Sequence, residues 1–449
     1  MDIIIVGSGK IGFALAEELS LQKHNISVVD IRQDVLDSSS NRLDVNCIIG
    51  SGINMDTLKE AGAENADLII TVTGNDEINI IICVVAKSLG TQYAVARIRN
   101  PEYTSELELF KKGLNIDRII NPELESALEI SRLLSLPVAN KVDAFANERV
   151  DIVEYTIEKE DLIVQRPLSK LSLPPNVLFC GAERNGEFMI ARGDYVCEEG
   201  DNIYLCGTLI GLNNFFKTIG HTIHKARDIM IVGGSRMAVY LARTARKMGI
   251  NVRLVERDPD RSMDLAKLLD DCLIICGDGT EEEMLLSEDL KNMDAFIALT
   301  DTDEENLLSS FYAKKQGVTK VIPKINRQNY LDLTEELGIE SAVCPKNVTA
   351  DHMLRYVQAL QNAKNHTMQK LYRIANDKAQ AVEFIVPKKS KVLGKSIGEL
   401  ILKDDILIAA LVHGKEVIIP TDKQVICADD QVLIFSKKVP LHVFDDILA

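Results

Sequence analysis

The chain carries one pattern twice. Residues 2–12 read DIIIVGSGKIG and residues 228–238 read DIMIVGGSRMA, a spacing of 226 that places Gly233 opposite Gly7. The next apolar run ends on Asp30 in the first copy (ISVVD) and on Glu256 in the second (VRLVE). After a one-residue shift IIGSG (48–52) answers IICGDG (274–279), LIITVTGNDEIN (68–79) answers FIALTDTDEEN (296–306), and VARI (95–98) answers IPKI (322–325). A duplication of this length requires two similar domains in one polypeptide, so the segments between and after the copies decide the organisation.

Each copy alternates apolar runs of strand length with stretches of helical period. Ile3–Val6, Ile26–Asp30, Cys47–Ile49, Leu68–Val72 and Tyr93–Ile98 read as buried strands. Ile11–Gln22, Val35–Leu43, Met55–Ala61 and Asp76–Leu89 read as helices. Apolar strands separated by helices predict a doubly wound parallel sheet, and the second copy repeats the pattern from Ile229 to about Cys344. From Val142 to Gly220 the texture changes to short strands and turns, predicting a small β-rich unit of the α+β class. That unit recurs over Ala381–Phe435, with Gly186 matched to Gly414, Asp194 to Asp422 and Asp201 to Asp430. The layout is therefore two Rossmann-like α/β domains, each followed by a smaller lobe, with junctions near Pro137–Asn140, His221–Arg227 and Gln361–Lys370. The expected limits are 1–138, 139–224, 225–364 and 365–449.

A length of 449 residues fits two to four domains. No apolar run approaches the roughly 20 residues that span a bilayer, and the N-terminus lacks a signal-peptide pattern, so a cytoplasmic protein is expected. The net charge of −16, from 51 basic and 67 acidic residues, argues against binding nucleic acid or anionic lipid by bulk electrostatics, while leaving room for a local basic patch. The nine cysteines contain no CxxC pair and are expected to be buried free thiols. Cys272 and Cys276 form a CxxxC without nearby ligands, and His221 and His224 read as part of a linker.

The first copy holds a full GxGxxG. Gly7 permits the tight turn, Gly9 allows backbone to approach a pyrophosphate, and Gly12 permits close helix–strand packing. The helix that follows presents free N–H groups and a positive dipole end. Asp30, at the end of the next strand, is placed to accept from ribose hydroxyls and to repel a 2′-phosphate, which favours NAD over its phosphorylated form. In the second copy Gly233 and Gly234 stand at the turn, Ser235 replaces the middle glycine and Ala238 the last. Ser235 is expected to crowd the pyrophosphate, and Glu256 remains a ribose acceptor. Ser51–Gly52 and Thr73–Gly74 fall at strand C-terminal ends, as do Asp278–Gly279 and Thr300–Asp301, where open α/β sheets bind ligands. Arg97 and its counterpart Lys324 are placed to reach phosphate, or to form an interdomain salt bridge.

The glycine loop with its strand-end acid, then TVTGNDEIN, then ARI at 96–98, then a small β-rich unit, all doubled, resembles the TrkA family. These are NAD-binding regulatory subunits of Trk potassium-uptake systems, built of tandem regulator-of-potassium-conductance (RCK, or KTN) domains. The resemblance covers essentially the whole chain. It implies a homo-oligomeric ring, from a dimer or tetramer, lying on the inner face of the membrane beneath a TrkH-type channel subunit and responding to NAD+, NADH, ATP or ADP. By position it assigns Gly7, Ser8, Gly9, Lys10, Ile11, Gly12, Asp30, Ser51, Gly52, Thr73, Gly74 and Arg97 to a first nucleotide site. Gly233, Gly234, Ser235, Arg236, Met237, Glu256, Asp278, Gly279, Thr300 and Lys324 fall at a second.

Two rivals are an NAD-dependent dehydrogenase and a stand-alone nucleotide sensor. A dehydrogenase needs a general acid or base beside the nicotinamide. Val142–Gly220 contains no histidine, and His413 sits in a polar turn. Asp76 and Glu77, echoed by Asp303 and Glu304, read as helix N-terminal acids favoured by the dipole. A regulator rather than an enzyme is expected.

Overall fold

The computed structural model describes residues 1–449 except 102, 104–112, 147–148, 223–224, 363–367, 376–377, 415, 438–440 and 442. His224 and much of the third junction therefore lie outside the described residues.

The first copy forms a parallel sheet of β1 (Asp2–Val6), β2 (Asn25–Asp30), β3 (Asn46–Ile49), β4 (Leu68–Thr71), β5 (Tyr93–Arg97) and β6 (Arg118–Ile120). Their spatial order is 3-2-1-4-5-6, so the order of strand addition switches sides between β1 and β4 while every strand runs parallel. Helices α1 (Lys10–Leu21), α2 (Gln33–Ser40), α3 (Met55–Glu60), α4 (Asp76–Leu89) and α5 (Pro122–Ser135) accompany it. The run Ile3–Val6 is at most 3% exposed, as a central strand covered on both faces must be.

Next come five antiparallel strands, β7 (Lys141–Phe145), β8 (Val150–Thr156), β9 (Val177–Arg184), β10 (Glu187–Ile190) and β11 (Asn202–Gly207), in the order 10-9-11-8-7, and helix α6 (Leu209–Thr218). The second copy supplies β12 (Asp228–Val232), β13 (Asn251–Glu256), β14 (Leu273–Cys276), β15 (Ala295–Ala298) and β16 (Lys320–Pro323) in the order 14-13-12-15-16. Its helices are α7 (Arg236–Lys247), α8 (Pro259–Leu268), α9 (Glu282–Ser287), α10 (Asp303–Lys315), α11 (Gln328–Glu336) and α12 (Pro345–Asn362). The last sheet, β17 (Met368–Ile374), β18 (Ala379–Ile385), β19 (Ile406–His413), β20 (Glu416–Ile418) and β21 (Gln431–Ser436), repeats the first small lobe's topology in the order 17-18-21-19-20.

The chain folds as two compact units, each drawn from two separated stretches: 1–131 with 227–354, and 132–226 with 355–449. Like therefore packs with like. In the first unit the Tyr240 hydroxyl, on α7, accepts from Asn121 Nδ2 at 2.8 Å and donates to the Arg99 carbonyl at 3.1 Å, fastening the second copy to the loop after β5 of the first. In the second unit one core runs through both lobes, including Phe145, Tyr204, Tyr372, Ala409 and Phe435. The rings of Phe145 and Tyr372 lie 3.9 Å apart, Tyr372 donates to the Ala144 carbonyl at 3.0 Å, and Arg149 donates to the Gly414 carbonyl at 2.7 Å.

Strand register corrects the alignment of the two small lobes. β11 sets Ile203 opposite Ala182, and β21 sets Val432 opposite Leu411, a constant offset of 229. Gly414 thus occupies the place of Asn185 rather than Gly186. The amide of Ser169 donates to Gly193 and that of Gly398 to Asp422, so Asp422 answers Gly193 rather than Asp194. Cysteine burial also differs from expectation: Cys276 and Cys427 are exposed, and Cys47 and Cys272 are half-buried.

His221 closes a polar cluster in the first small lobe. Its Nε2 lies 2.7 Å from Asp161 Oδ1 and 2.7 Å from the Tyr155 hydroxyl, which donates to Asp161 Oδ2 at 2.7 Å. The Asp161 hydrogen bond raises the His221 pKa above its ordinary 6.5, against a smaller lowering by burial. With the folded value raised, this contact stabilises fully below the unfolded pKa and its contribution is lost as pH rises through the folded one. NMR titration of the imidazole should give a pKa above that of a free histidine, and His221→Gln should flatten the pH dependence of stability in that window.

Candidate functional site

The turn after β1 is dictated by close backbone approach. Gly7 has φ +102°, and a Cβ there would lie 3.0 Å from the Thr73 amide nitrogen. A Cβ on Gly12 would lie 1.8 Å from the Gly7 carbonyl oxygen, whereas one on Gly9 meets nothing within 4 Å. Gly9 begins α1 without a side-chain cap, so the first amides of that helix have no side chain folded over them. The second turn repeats the plan, with Gly233 at φ +96° and a Cβ contact of 2.8 Å to the Thr300 amide.

One pair of positions is exchanged between the copies. Ser8 and Ser39 share a buried hydroxyl–hydroxyl hydrogen bond of 2.8 Å. Their counterparts are Gly234 and Leu265, and a Cβ on Gly234 would sit 2.4 Å from Leu265 Cδ1. A polar pair in one copy is a glycine and a space-filling leucine in the other.

The strand-end acids brace the turns. Asp30 accepts from the Ser8 amide at 2.7 Å and the Arg32 amide at 3.0 Å. Glu256 accepts from the Gly234 amide at 2.6 Å and the Asp258 amide at 2.9 Å. Each carboxylate oxygen spends one lone-pair direction on a backbone amide and retains further acceptor capacity.

Ser235 lines the cleft and also has a local structural part. Its side chain folds back to cap α7, accepting from the Ala238 amide at 3.3 Å. The hydroxyl thereby occupies one of the helix amides that the first copy leaves uncapped. Ala238 is fully buried in the packing place of Gly12.

Farther along, each sheet is pinned by an asparagine. Asn79 Oδ1 accepts from the Thr73 amide at 2.9 Å and hydroxyl at 2.7 Å, and its Nδ2 donates to the Arg97 carbonyl at 2.9 Å. Asn306 does the same for Thr300, at 2.9 and 2.8 Å, and for the Lys324 carbonyl at 2.9 Å. Asp76 accepts from the amides of Arg99 and Asn100 at 2.8 and 2.9 Å, and Asp303 from those of Asn326 and Arg327, both at 3.0 Å. These acids tie the loop after β5 or β16 to the helix start. Ser51 is exposed, while Gly52 and Gly279 pack against the ends of β1 and β12, where a Cβ would meet Val6 at 2.5 Å and Val232 at 2.2 Å. Gly74 has open space around it. Asp278 accepts from the Thr280 hydroxyl at 2.7 Å and amide at 2.9 Å, and these bonds lower its pKa.

Within the first unit the two glycine turns open on one cleft of 480 Å³. Gly9, Lys10 and Ile11 line it from the first copy and Ser235, Arg236 and Met237 from the second, together with Arg97 and Lys324. Six basic side chains (Lys10, Arg97, Arg99, Arg236, Lys324, Lys346) face two acidic ones, Glu123 and Asp301. This is a local positive site on a chain of net charge −16. Arg97 reaches Glu123 at 3.3 Å and Lys324 reaches Asp301 at 3.4 Å. Burial lowers the Arg97 pKa, with Glu123 offsetting part of that. The Arg97 Nε is buried with no hydrogen-bond partner among the described residues.

Residues 3–122 and 229–345 match the TrkA-N domain, and residues 381–449 the TrkA-C domain. The chain belongs to the TrkA family. Among TrkA relatives, a "Trk system potassium uptake protein TrkA" of Vibrio alginolyticus is 34% identical over 441 residues, 97% of this chain and 95% of that one. The TrkA homolog of Archaeoglobus fulgidus is 31% identical over 448 residues, covering 100% of both. Among solved structures, the GsuK channel bound to NAD superposes with a TM-score of 0.64 over 97% of this chain and 76% of that one, at 16% identity. The GsuK RCK domain does so with 0.64 over 97% and 92%. At that identity the likeness establishes the shared fold: Rossmann-like parallel sheets with small antiparallel ones, in tandem.

Of the positions assigned by the TrkA resemblance, Gly9, Lys10, Ile11, Arg97, Ser235, Arg236, Met237 and Lys324 line the cleft. Gly7, Ser8, Gly12, Asp30, Ser51, Gly52, Thr73 and Gly74 are not among its lining residues, nor are Gly233, Gly234, Glu256, Asp278, Gly279 and Thr300. Sequence reasoning missed Arg99 and Lys346 in the lining and Tyr240 as the fastener. For Arg99 a signal existed, a second arginine two residues after Arg97.

Two outcomes follow from this packing. Asn79→Ala unpairs the part-buried Thr73 amide and Arg97 carbonyl, costing up to about 1–3 kcal/mol for each group left without a partner, and Asn306→Ala should behave alike; chemical denaturation checks both. Gly12→Ala should destabilise by about 1–3 kcal/mol through overpacking, whereas Gly9→Ala, facing open space, should leave the melting temperature nearly unchanged.

Proposed function

We propose that this chain is a nucleotide-binding regulatory subunit of a potassium uptake system, in which NAD+ or NADH, and ATP or ADP, bind the glycine-turn sites and control a TrkH-type membrane channel subunit. The observation that carries the nucleotide part is the cleft, where two glycine turns and six cations converge. The residues suit a dinucleotide. The open space at Gly9 is a cradle a side chain would fill, the orphaned Arg97 Nε is a donor in search of an anionic oxygen, and Asp30 keeps acceptor capacity at the strand end. The α1 amides and the basic lining would hold phosphates, and Asp30 would take ribose hydroxyls. In the second site Ser235 withholds one helix amide, so weaker binding is expected there. The family membership supports the potassium part, and no described helix is long and apolar enough to cross a membrane, in keeping with a peripheral subunit beneath a channel partner.

The nucleotide acts here as an effector. Both acids of the cleft are already paired to cations, which suits electrostatic holding rather than proton transfer. Coupling to a pore requires that nucleotides bind two arrangements of the assembly with different affinity, since equal affinity shifts nothing. Two tandem chains would supply four Rossmann-like lobes to a pore of four-fold pseudo-symmetry, in a closed ring. The lobes themselves are taken as 1–138, 139–224, 225–364 and 365–449.

Calorimetric titration of the purified chain with NAD+, NADH, ATP and ADP is the first test. Asp30→Ala should weaken NAD binding by about 1–3 kcal/mol, and Arg97→Ala should weaken every phosphate-bearing ligand. Ser235→Gly should tighten the second site. The chain reconstituted with its membrane partner should change potassium flux when nucleotides are exchanged. Flux indifferent to chain and nucleotide would overturn the regulatory reading, and oxidation of NADH by an added keto acid would replace it with a dehydrogenase.

A further inference from the structure

The two small lobes treat one equivalent carboxylate in opposite ways. In the first, Asp201 is buried beside the guanidinium of Arg184, whose Nε and Nη2 donate to its two oxygens at 2.7 Å each. Arg184 also reaches Glu198 Oε1 at 2.7 Å, and the Tyr195 hydroxyl donates to Asp201 at 2.6 Å. A permanent cation thus fills the space among Asp201, Glu198 and Tyr195.

At the register offset of 229 the second lobe replaces Arg184 by His413, Glu198 by Cys427 and Tyr195 by Gln424, while Asp201 remains as Asp430. The backbone frame is kept: the Glu198 amide donates to Asp201 at 2.9 Å and the Cys427 amide to Asp430 at 2.8 Å. The Asp430 side chain is 5% exposed, and its one side-chain partner among the described residues is His413, with Nδ1 at 2.7 Å. The permanent charge has gone, and three metal-binding residue types have gathered. Ligand atoms of His413, Cys427 and Asp430 all lie within 4.8 Å of one another.

The geometry points to a divalent-cation site at His413, Cys427 and Asp430, selective for a borderline-soft ion such as zinc. The ion would stand where the first lobe holds the Arg184 guanidinium. Nitrogen, thiolate and carboxylate ligands are the mixture zinc takes, with three protein ligands leaving a fourth position to water. Tetrahedral bond lengths of about 2.0–2.3 Å set ligand atoms about 3.3–3.8 Å apart, so the His413–Asp430 contact opens slightly as the ion enters. The Cys427 thiol proton leaves to solvent on binding. Cys427 and Asp430 are fixed three residues apart by the turn that ends in β21, and His413 arrives from β19 directly opposite. The next residue, Gly414, is the acceptor for Arg149 of the first small lobe, so the ion sits beside the seam between the two lobes.

The test uses the full chain, stripped of metal by a chelator and dialysed, then titrated with zinc and separately with cobalt(II). About one zinc ion per chain and a cobalt–thiolate charge-transfer band are expected. Cys427→Ser should remove both, and Cys276→Ser, altering the other exposed cysteine, should remove neither. His413→Arg rebuilds the arrangement of the first lobe, so it should fold, with its circular dichroism unchanged, and bind no zinc. A wild-type chain that retains no ion, or binding that survives in both Cys427→Ser and His413→Arg, would overturn the assignment.

Discussion

A backbone that leaves a buried parallel strand and turns into a helix must find partners for amides that neither element can satisfy. In both Rossmann-like lobes the answer is a side chain from the neighbouring strand end or helix start. Asp30 and Glu256 hold the glycine turns, Asn79 and Asn306 hold the ends of β4 and β15, and Asp76 and Asp303 hold the loops that carry the cleft cations. Once these clamps are set, the amides at the start of α1 are the ones left over, and they open toward the basic side chains. The strand-end acids carry a structural load before any ligand arrives.

Much of this was legible in the sequence. Central strands buried on both faces show as unbroken apolar runs, and Gly12 answers a backbone contact with Gly7 in the same turn. Both signals are local, so the parallel sheets, the turn and the strand-end acids could be read directly. What escaped reading is non-local. Tyr240 meets Asn121 and Arg99 across more than a hundred residues, and no pattern in α7 announces it. Lys346 reaches the cleft from the far end of the second copy. The pairing of like lobes into two units depends on core faces such as Phe145 against Tyr372, which in sequence look like any β-strand aromatics. The cap that Ser235 makes on α7 is likewise hidden, because sequence shows a side chain's presence and not its rotamer. Matching Gly186 to Gly414 and Asp194 to Asp422 places those positions one residue out, while Asp201 to Asp430 agrees with the strand register, which decides.

The two copies diverge where packing permits compensation. Ser8 with Ser39 and Gly234 with Leu265 fill one location by different means, a hydrogen bond in one and apolar volume in the other. The exchange in the small lobes is of another kind, since a guanidinium fixed to the chain gives way to ligands that attract charge from solution. Membership in the TrkA family extends over the whole length, so these differences lie within a shared architecture.

Joining two lobes covalently also changes what substitution can do. When a cleft forms between two copies of a separate chain, each mutation appears on both walls at once, and a change good for one wall and bad for the other is lost. Here the wall bearing Gly9 and the wall bearing Ser235 are encoded apart. Either can be altered while the other stays fixed, so the cleft is free to be asymmetric.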